Sequence, residues 1–128
     1  MASKSAIIRM PYLGDLSVNH RLGKRKGGGY YVKASVRQWN EEFGWKIKPL
    51  HIEEWRLPIS VKCDGVFKDQ RSAPDLNNLI KILDVIEEVS GVNDKNMRWE
   101  DGSRLIDKHE KPSLTITIKE ASSEEPLR

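Results

Sequence analysis

The segment between Asp75 and Gly91 constrains the fold more than any other part of this chain. Its apolar residues recur at the spacing of one helix face, and they are Leu76, Leu79, Ile80, Leu83 and Ile86. The carboxylate of Asp75 stands where an N-cap side chain can accept the free N–H groups of a first helical turn. Gly91 follows at the position of a C-terminal cap. The sequence therefore predicts one amphipathic helix between these two residues.

Other stretches predict a second helix and several strands. An amphipathic helix is indicated by the residues Val32, Val36, Trp39 and Phe43, with Gly44 as its cap. We expect strands over residues 6–10, 57–63, 97–100, 104–108 and 114–118, and an irregular stretch over residues 12–30. Asp101-Gly102 predicts a hairpin turn between the third and fourth of these strands. Pro58 favours an edge position, or an early place in its strand.

These elements predict an α+β fold, in which a mixed sheet of four or five strands packs with two main helices. A chain of 128 residues can bury one sizeable core, and no linker divides it. We therefore expect a single domain over residues 1–120. The polar stretch over residues 121–128 is predicted to be a disordered tail.

Composition limits the cellular setting and the kind of partner. The net charge of +3 and the isoelectric point of about 9.0 indicate an anionic partner. The single cysteine, Cys63, excludes an intrachain disulfide and fits a reducing compartment; it lies on the inward face of its predicted strand. The first residues form too short an apolar run for a signal peptide, and no run is long enough for a membrane span. The expected location is the cytoplasm.

The predicted second helix carries an unusual set of polar residues. Asn77, Lys81, Asp84 and Glu88 recur at the spacing of one helix face, with Asp75 before them and Asp94 after a short loop. Carboxylates beside a lysine are what a divalent-metal phosphodiesterase site requires. A solvated helix face with one Lys81–Asp84 ion pair explains the same spacing. Composition alone leaves both interpretations open.

A second polar feature is basic. Four cations precede a glycine triplet, and they are Arg21, Lys24, Arg25 and Lys26; Asn19 and His20 stand directly before them. Cations beside flexible glycines predict a mobile loop that contacts phosphates. An ordinary solvated loop is the alternative. Tyr30 and Tyr31 follow directly, and they either stack on bases or pack where the next helix begins.

Together these residues resemble the RusA family of Holliday-junction resolvases, small homodimeric endodeoxyribonucleases often carried by phages and prophages. The family pattern is Asp-x-Asp-Asn-Leu-x-Lys, then a helix with a further Asp, a glycine-containing loop and an acidic pair. This chain matches it with Asp75-Leu76-Asn77-Asn78-Leu79-Ile80-Lys81, Asp84, Gly91 and Asn93-Asp94. The short segment Ser17-Val18-Asn19-His20-Arg21 also matches, so the resemblance spans residues 7 to 118.

The resemblance implies roles for particular residues. Catalytic positions fall on Asp75, Asn77, Lys81 and Asp94, and ligands for Mg²⁺, or for Mn²⁺ in its place, on Asp75, Asp94 and Asp84. Asn78 matches a structural hydrogen-bonding position. The chain departs from the pattern at Asn77, where the family has a second Asp, so one negative charge is missing. Asp84 is the closest acid on the same predicted face to replace it, ahead of Glu88.

The expected function is Mg²⁺-dependent cleavage of four-way DNA junctions by a homodimer, in recombination and repair, in a bacterium or phage-infected cell and away from membranes. Two alternatives remain open. The chain is a branched-DNA-binding protein whose catalysis is weakened by Asn77, or it is a small basic RNA-binding protein. The second gives no reason for Asp75, Lys81, Asp84 and Asp94 to cluster. A structural protein has only its base rate in its favour.

Overall fold

A mixed four-stranded sheet forms the centre of the computed structural model, which describes residues 3–122. Its strands lie in the order β1-β6-β4-β5; β4 and β5 run parallel, and the other neighbours run antiparallel. A short hairpin, β2–β3, stands apart from this sheet. The elements are β1 (Ser5–Pro11), β2 (Leu22–Lys24), β3 (Tyr30–Val32), α1 (Ala34–Ile47), β4 (Ile59–Phe67), α2 (Ile82–Ser90), β5 (Met97–Ile106) and β6 (Ser113–Lys119). The predicted α+β class with a mixed sheet and two helices is confirmed.

One face of the sheet carries the core. Alternate residues of β4 and β6 are buried, as the period-2 patterns predict: Ile59, Val61, Cys63, Leu114, Ile116 and Ile118. Both helices add apolar side chains such as Phe43 and Ile86 to the same cluster. Cys63 is buried as predicted, and loss of hydration in this core raises the pKa of its thiol to about 12.

Helix α1 is longer than predicted, because Gly44 does not end it. The helix continues through Gly44 to Ile47. Gly44 is buried where α1 meets α2, and a Cβ added to it would lie 3.3 Å from Cγ2 of Val89. The glycine therefore allows the two helices to pack closely. The sequence alone does not distinguish this role from that of a helix cap.

The predicted hairpin turn at Asp101-Gly102 is wrong. β5 runs without a break from Met97 to Ile106, beside β4 throughout. The register shifts by one residue inside the strand, since Cys63 pairs with Asp101 but Gly65 pairs with Arg104. Gly102 and Ser103 thus lie opposite the single residue Asp64 in a β-bulge directly after Asp101, a feature that inserts one extra residue and re-aims nearby side chains.

Three further predictions are corrected or limited. Pro58 precedes β4, which lies inside the sheet, so the early-position interpretation holds and the edge interpretation is wrong. Residues 12–30 are not wholly irregular, because they contain β2 and the first residue of β3. Ala121, in the predicted tail, is buried and donates its N–H to the carbonyl of Arg56 over 2.9 Å; residues 123–128 lie outside the described part of the chain.

The helices between residues 3 and 122 are too short or too polar to cross a bilayer.

Candidate active site

The segment that was predicted as one helix from Asp75 is divided in two. A 3₁₀ turn over Leu76–Leu79 precedes α2, which Gly91 ends in a left-handed conformation at φ 79°, as predicted. A 3₁₀ turn has three residues per turn instead of 3.6, so the phase of the later residues shifts. Ile80, predicted to be buried, is 37% exposed, whereas Ile82 and Val85 are buried in the core.

Asp75 occupies the N-cap position of the 3₁₀ turn without capping it through its side chain. Its backbone carbonyl accepts the N–H of Asn78 over 2.9 Å, but its carboxylate makes no capping hydrogen bond. The predicted side-chain cap is therefore wrong, and the exposed carboxylate is left for a ligand. Asn78 makes structural hydrogen bonds through its backbone, since its carbonyl also accepts the N–H of Val18 over 2.9 Å.

Asp75 lines a surface depression that two separate parts of the chain build. We call it the acid–amide depression, and its lining residues are Asp75, Leu76, Asn77, Asn78, Asp101, Gly102 and Arg104. The last three come from β5, where Asp101 and Arg104 lie on either side of the bulge. The indole N–H of Trp99 donates to Oδ1 of Asp101 over 2.7 Å, and the Arg104 guanidinium donates to the carbonyl of Ala73 over 3.1 Å. Both bonds orient side chains at its rim.

Asp101 is a candidate site residue that sequence reasoning missed, since it lines the depression with Asp75. Because Gly102 follows it, Asp101 was interpreted as part of a hairpin turn. No position of the family motif corresponds to Asp101. The available signal was its acidic side chain two residues after Trp99, on the same side of a strand. Only the pairing of β5 with β4 shows that this side faces Asp75.

A second depression lies beside the first. We call it the acid–lysine depression, and it is lined by Ile80, Lys81, Leu83, Asp84, Asp94, Met97 and Trp99. The predicted ion pair is present, with 3.8 Å between Nζ of Lys81 and Oδ2 of Asp84. Both side chains are about half exposed, so the pair stabilises the helix by only ~0.2–0.5 kcal/mol.

The loop that carries Asp94 is held by two hydrogen bonds. The Asp94 N–H donates to Oε1 of Glu87 over 3.2 Å. The Asn93 side chain accepts the N–H of Lys95 over 3.0 Å, and so caps the short 3₁₀ turn Asp94–Asn96. Asn93 therefore acts as a cap, which orients Asp94 at the depression.

The structure groups the predicted site residues differently from the sequence. Lys81, Asp84 and Asp94 come together, and so do Asp75 and Asn77, but the two groups lie in separate depressions. Trp99 connects them, because it lines one depression and bonds to Asp101 in the other. The single shared face predicted for Asn77 through Glu88 is wrong.

Glu88 lies away from both depressions. It lines a groove between α1 and α2, together with Arg37 and the exposed Trp45. It lies one helical turn beyond Asp84 on α2, further from the 3₁₀ turn that carries Asn77. Glu88 therefore cannot replace the charge missing at Asn77.

The donor chemistry of the acid–amide depression fits Mg²⁺. Within residues 3–122 no three Asp, Glu, His or Cys side chains gather closely enough to hold a metal by themselves. Mg²⁺ keeps several waters and takes one or two carboxylates, with substrate phosphates completing its shell. The carboxylates of Asp75 and Asp101 and the amide oxygen of Asn77 are oxygen donors of this kind.

The predicted nucleic-acid-binding residues lie on and beside the β2–β3 hairpin. Asn19, His20 and Arg21 precede β2, Lys24 ends it, and Arg25 and Lys26 lie in the turn that follows. The turn is ordered by hydrogen bonds, from the N–H of Arg25 to Gly29 O over 2.9 Å and from that of Gly28 to Arg25 O over 3.1 Å. The predicted loop is thus a hairpin.

The hairpin is tied to the rest of the domain at both ends. Before it, Val18 is hydrogen-bonded to Asn78 in the active-site turn. After it, Asp15 accepts hydrogen bonds from Nζ of Lys33 over 3.1 Å and from Oγ of Ser35 over 2.9 Å. These two bonds hold the pKa of the Asp15 carboxyl below its usual value. The hairpin therefore has a defined position relative to the two depressions.

A comparison with protein families places these features together. The model of the family described as endodeoxyribonuclease RusA matches residues 14–119 of the 128-residue chain. The chain belongs to the RusA family. This match includes the hairpin and both depressions, and it confirms the family indicated by the motifs. RusA proteins are endodeoxyribonucleases, and the family acts on branched DNA junctions. No curated protein matches the chain.

Proposed function

We propose that this member of the RusA family is a Mg²⁺-dependent endodeoxyribonuclease that resolves four-way DNA junctions by paired phosphodiester hydrolysis, in recombination and repair. One observation supports this above all. Two pairs of carboxylates lie in adjoining, solvent-open depressions on either side of Trp99, with Lys81 in one of them. A phosphodiester backbone crossing Trp99 meets both oxygen donors for a metal and a cation for the phosphate.

The acid–amide depression is the better place for the metal. Asp75, Asp101 and the amide oxygen of Asn77 would hold Mg²⁺, or Mn²⁺ in its place. In the other depression, by contrast, Asp84 is already paired with Lys81. When bound, the ion supplies positive charge to a phosphate oxygen and acidifies a coordinated water.

Asp101 compensates for the amide at Asn77. An amide oxygen can bind Mg²⁺ but carries no negative charge, so Asn77 alone weakens the attraction for a divalent ion. Asp101 brings a carboxylate to the same depression from β5. This assignment replaces the expectation that Asp84 and Asp94 hold the ion, because both lie with Lys81 in the other depression.

Lys81 and Asp94 act on the phosphate and on water. The ammonium of Lys81 neutralises the negative charge that develops on the phosphate oxygens during attack. Asp94, in the same depression, accepts the proton of the attacking water. The new phosphorus–oxygen bond forms as the bond to the leaving strand breaks, and the leaving oxygen takes a proton from solvent.

Paired cleavage requires two such sites. A dimer with two-fold symmetry would present one site to each of two equivalent strands, matching the symmetry of a four-way junction. The cations of the hairpin would position the DNA through phosphate contacts, which carry no base sequence information.

The test is cleavage of a labelled four-way junction beside a linear duplex, with Mg²⁺ or with a chelator, by the native chain and by Asp75→Asn. Symmetric nicks in the junction alone, dependent on Mg²⁺ and lost in the variant, are expected. Tight junction binding without cleavage in Mg²⁺ or Mn²⁺ would support the DNA-binding alternative, which Asn77 favours. Absence of both binding and cleavage would contradict a DNA function.

A further inference from the structure

The hairpin segment has an unusual distribution of charge. Residues 16–40 contain six Lys and Arg residues and no Asp or Glu. Lys33 is paired with Asp15, which lies just before the segment. Within residues 3–122, no ion pair is formed by the four cations at the hairpin, which are Arg21, Lys24, Arg25 and Lys26. Such unmatched positive charge is complementary to a polyanion.

The same hairpin exposes aromatic surface. Tyr30 is 64% exposed and Tyr31 is 43% exposed, whereas the third tyrosine of the chain, Tyr12, packs edge-on against Phe67 with 4.8 Å between ring centroids. The interpretation of Tyr30 as a packing residue at the start of the next helix is therefore wrong. Large exposed rings beside cations are typical of surfaces that bind nucleic acid strands.

The two tyrosines have different surroundings. Tyr31 pairs with Gly23, and its ring occupies the space that a side chain at position 23 would need. Tyr30 pairs with Lys24, so its ring and the Lys24 ammonium lie on the same face of the hairpin. Tyr31 is thus held by packing, while Tyr30 presents a free ring next to a cation.

The turn lets a backbone approach closely. Gly27, Gly28 and Gly29 all have positive φ values, of 94°, 116° and 82°, and none of them carries a side chain. Arg25 and Lys26 flank this bare stretch. A nucleic acid strand can therefore lie against the turn, with its phosphates near the cations and a base near Tyr30.

We propose that Tyr30 stacks on an unpaired base of DNA, while Lys24, Arg25 and Lys26 hold the neighbouring phosphates. A ring can stack only on a base whose face is free, and bases inside a duplex have none free. The hairpin therefore recognises DNA with unstacked bases, such as an open branch point. The inference rests on the part of the proposed function that makes DNA the partner. It does not require that the protein cleaves DNA.

The experiment measures binding without metal, in a chelator, so that cleavage plays no part. The probes are a single-stranded oligonucleotide, a duplex of the same length, and a four-way junction with 2-aminopurine at the branch. Tyr30→Ala should weaken single-strand and junction binding by roughly 5- to 150-fold and leave duplex binding within about twofold. Tyr30→Phe should bind like the native chain and quench 2-aminopurine equally.

Other outcomes would overturn the inference. Equal losses in the Ala and Phe variants would show that the hydroxyl, and not stacking, makes the contact. An equal loss for duplex and single strand, or no loss, would exclude recognition of a free base. Tighter, Tyr30-dependent binding of an RNA strand of the same sequence would assign the surface to RNA. Tm measured beside each variant excludes misfolding.

Charge variants complete the test. Lys24→Gln, Arg25→Gln and Lys26→Gln should each reduce the slope of log affinity against log salt by about 0.7 for single strands. Unchanged slopes would contradict the phosphate contacts. Junction cleavage with no effect of Tyr30→Ala on binding would remove this inference alone. Tyr30-dependent binding without cleavage in Mg²⁺ would remove the proposed nuclease function alone.

Discussion

Trp99 donates its indole N–H to Oδ1 of Asp101 over 2.7 Å, and this bond connects the two depressions of the candidate active site. The two residues are two apart on β5 and pair with Val61 and Cys63 of β4, so both side chains point to the helix side of the sheet. A strand of the sheet thereby holds an acid next to Asp75.

Removing that N–H should loosen Asp101. Trp99→Phe keeps an aromatic ring in the acid–lysine depression but loses the hydrogen bond. We expect the single-turnover cleavage rate to fall roughly tenfold, equivalent to ~1.4 kcal/mol. Trp45→Phe is the control, because Trp45 is exposed beside the groove between α1 and α2. Equal rates for both variants would show that the orientation of Asp101 does not matter.

The carboxylate of Asp101 should be needed for metal binding. Partners that merely orient a metal ligand contribute 10- to 100-fold, so we expect Asp101→Asn to lower Mn²⁺ affinity and cleavage by roughly 100-fold. Titration with Mn²⁺, followed by electron paramagnetic resonance, measures the metal affinity without any substrate. Glu100→Gln is the control, since the adjacent Glu100 lies outside the depression.

A charge at position 77 should substitute for the one at position 101. Asn77→Asp in the Asp101→Asn background returns a carboxylate to the same depression. We expect Mn²⁺ affinity and cleavage to recover at least tenfold from the single variant, a gain of ~1.4 kcal/mol. A double variant no better than Asp101→Asn would refute the idea that the two positions share one role.

Lys81 should act mainly on the rate. Lys81→Gln removes the cation that faces the developing charge, and loss of one such group costs roughly 100-fold or more. Junction affinity should change little, because we propose that the hairpin cations make most of the phosphate contacts. Lys95→Gln, in the loop after Asp94, is the matched control. A large loss of affinity at an unchanged single-turnover rate would assign Lys81 to binding instead.

The bulge that places Asp101 should depend on Gly102. A Cβ at this position would meet the carboxylate of Asp64 and lie 2.7 Å from the carbonyl oxygen of Cys63. Gly102→Ala should therefore lower the free energy of unfolding by about 1–3 kcal/mol, measured in urea. Gly14→Ala should change it by less than ~0.5 kcal/mol, because a Cβ there meets nothing within 4 Å. Equal changes in the free energy of unfolding for the two variants would show that Gly102 is not closely packed against Cys63 and Asp64.

The thiol of Cys63 should be unreactive in the native protein. Burial raises its pKa to about 12, so below that pH the native side chain stays a neutral thiol. The unfolded thiol ionises near its ordinary pKa. Iodoacetamide at pH 8 should therefore label the urea-unfolded chain at least 100-fold faster than the native chain. Mass spectrometry follows the labelling, and comparable rates would mean that β4 opens readily.

Prediction from sequence was most accurate for features that depend only on residues close together in the chain. The alternation of Leu114, Ile116 and Ile118 predicts β6, and Gly91 ends α2 where it should, because both signals are local. The spacing of Asp75, Lys81 and Asp94 indicated the family, which the comparison confirms, and the roles of these residues stay predictions. Burial of Ile80 was predicted wrongly, because a 3₁₀ turn changed the helical phase.

The sequence by itself determined the fold class, the family and the acids and lysine of the motif. Only the tertiary structure decided how those groups are arranged. The sequence Asp101-Gly102 is compatible with a turn or with a bulge. The bulge forms because β5 pairs with β4 on both sides of it. That long-range pairing places Asp101 beside Asp75 and leaves Asp94 with Lys81. Local periodicity indicates which residues share a face of one element. The residues that pack against that face are distant in the chain, so periodicity does not identify them.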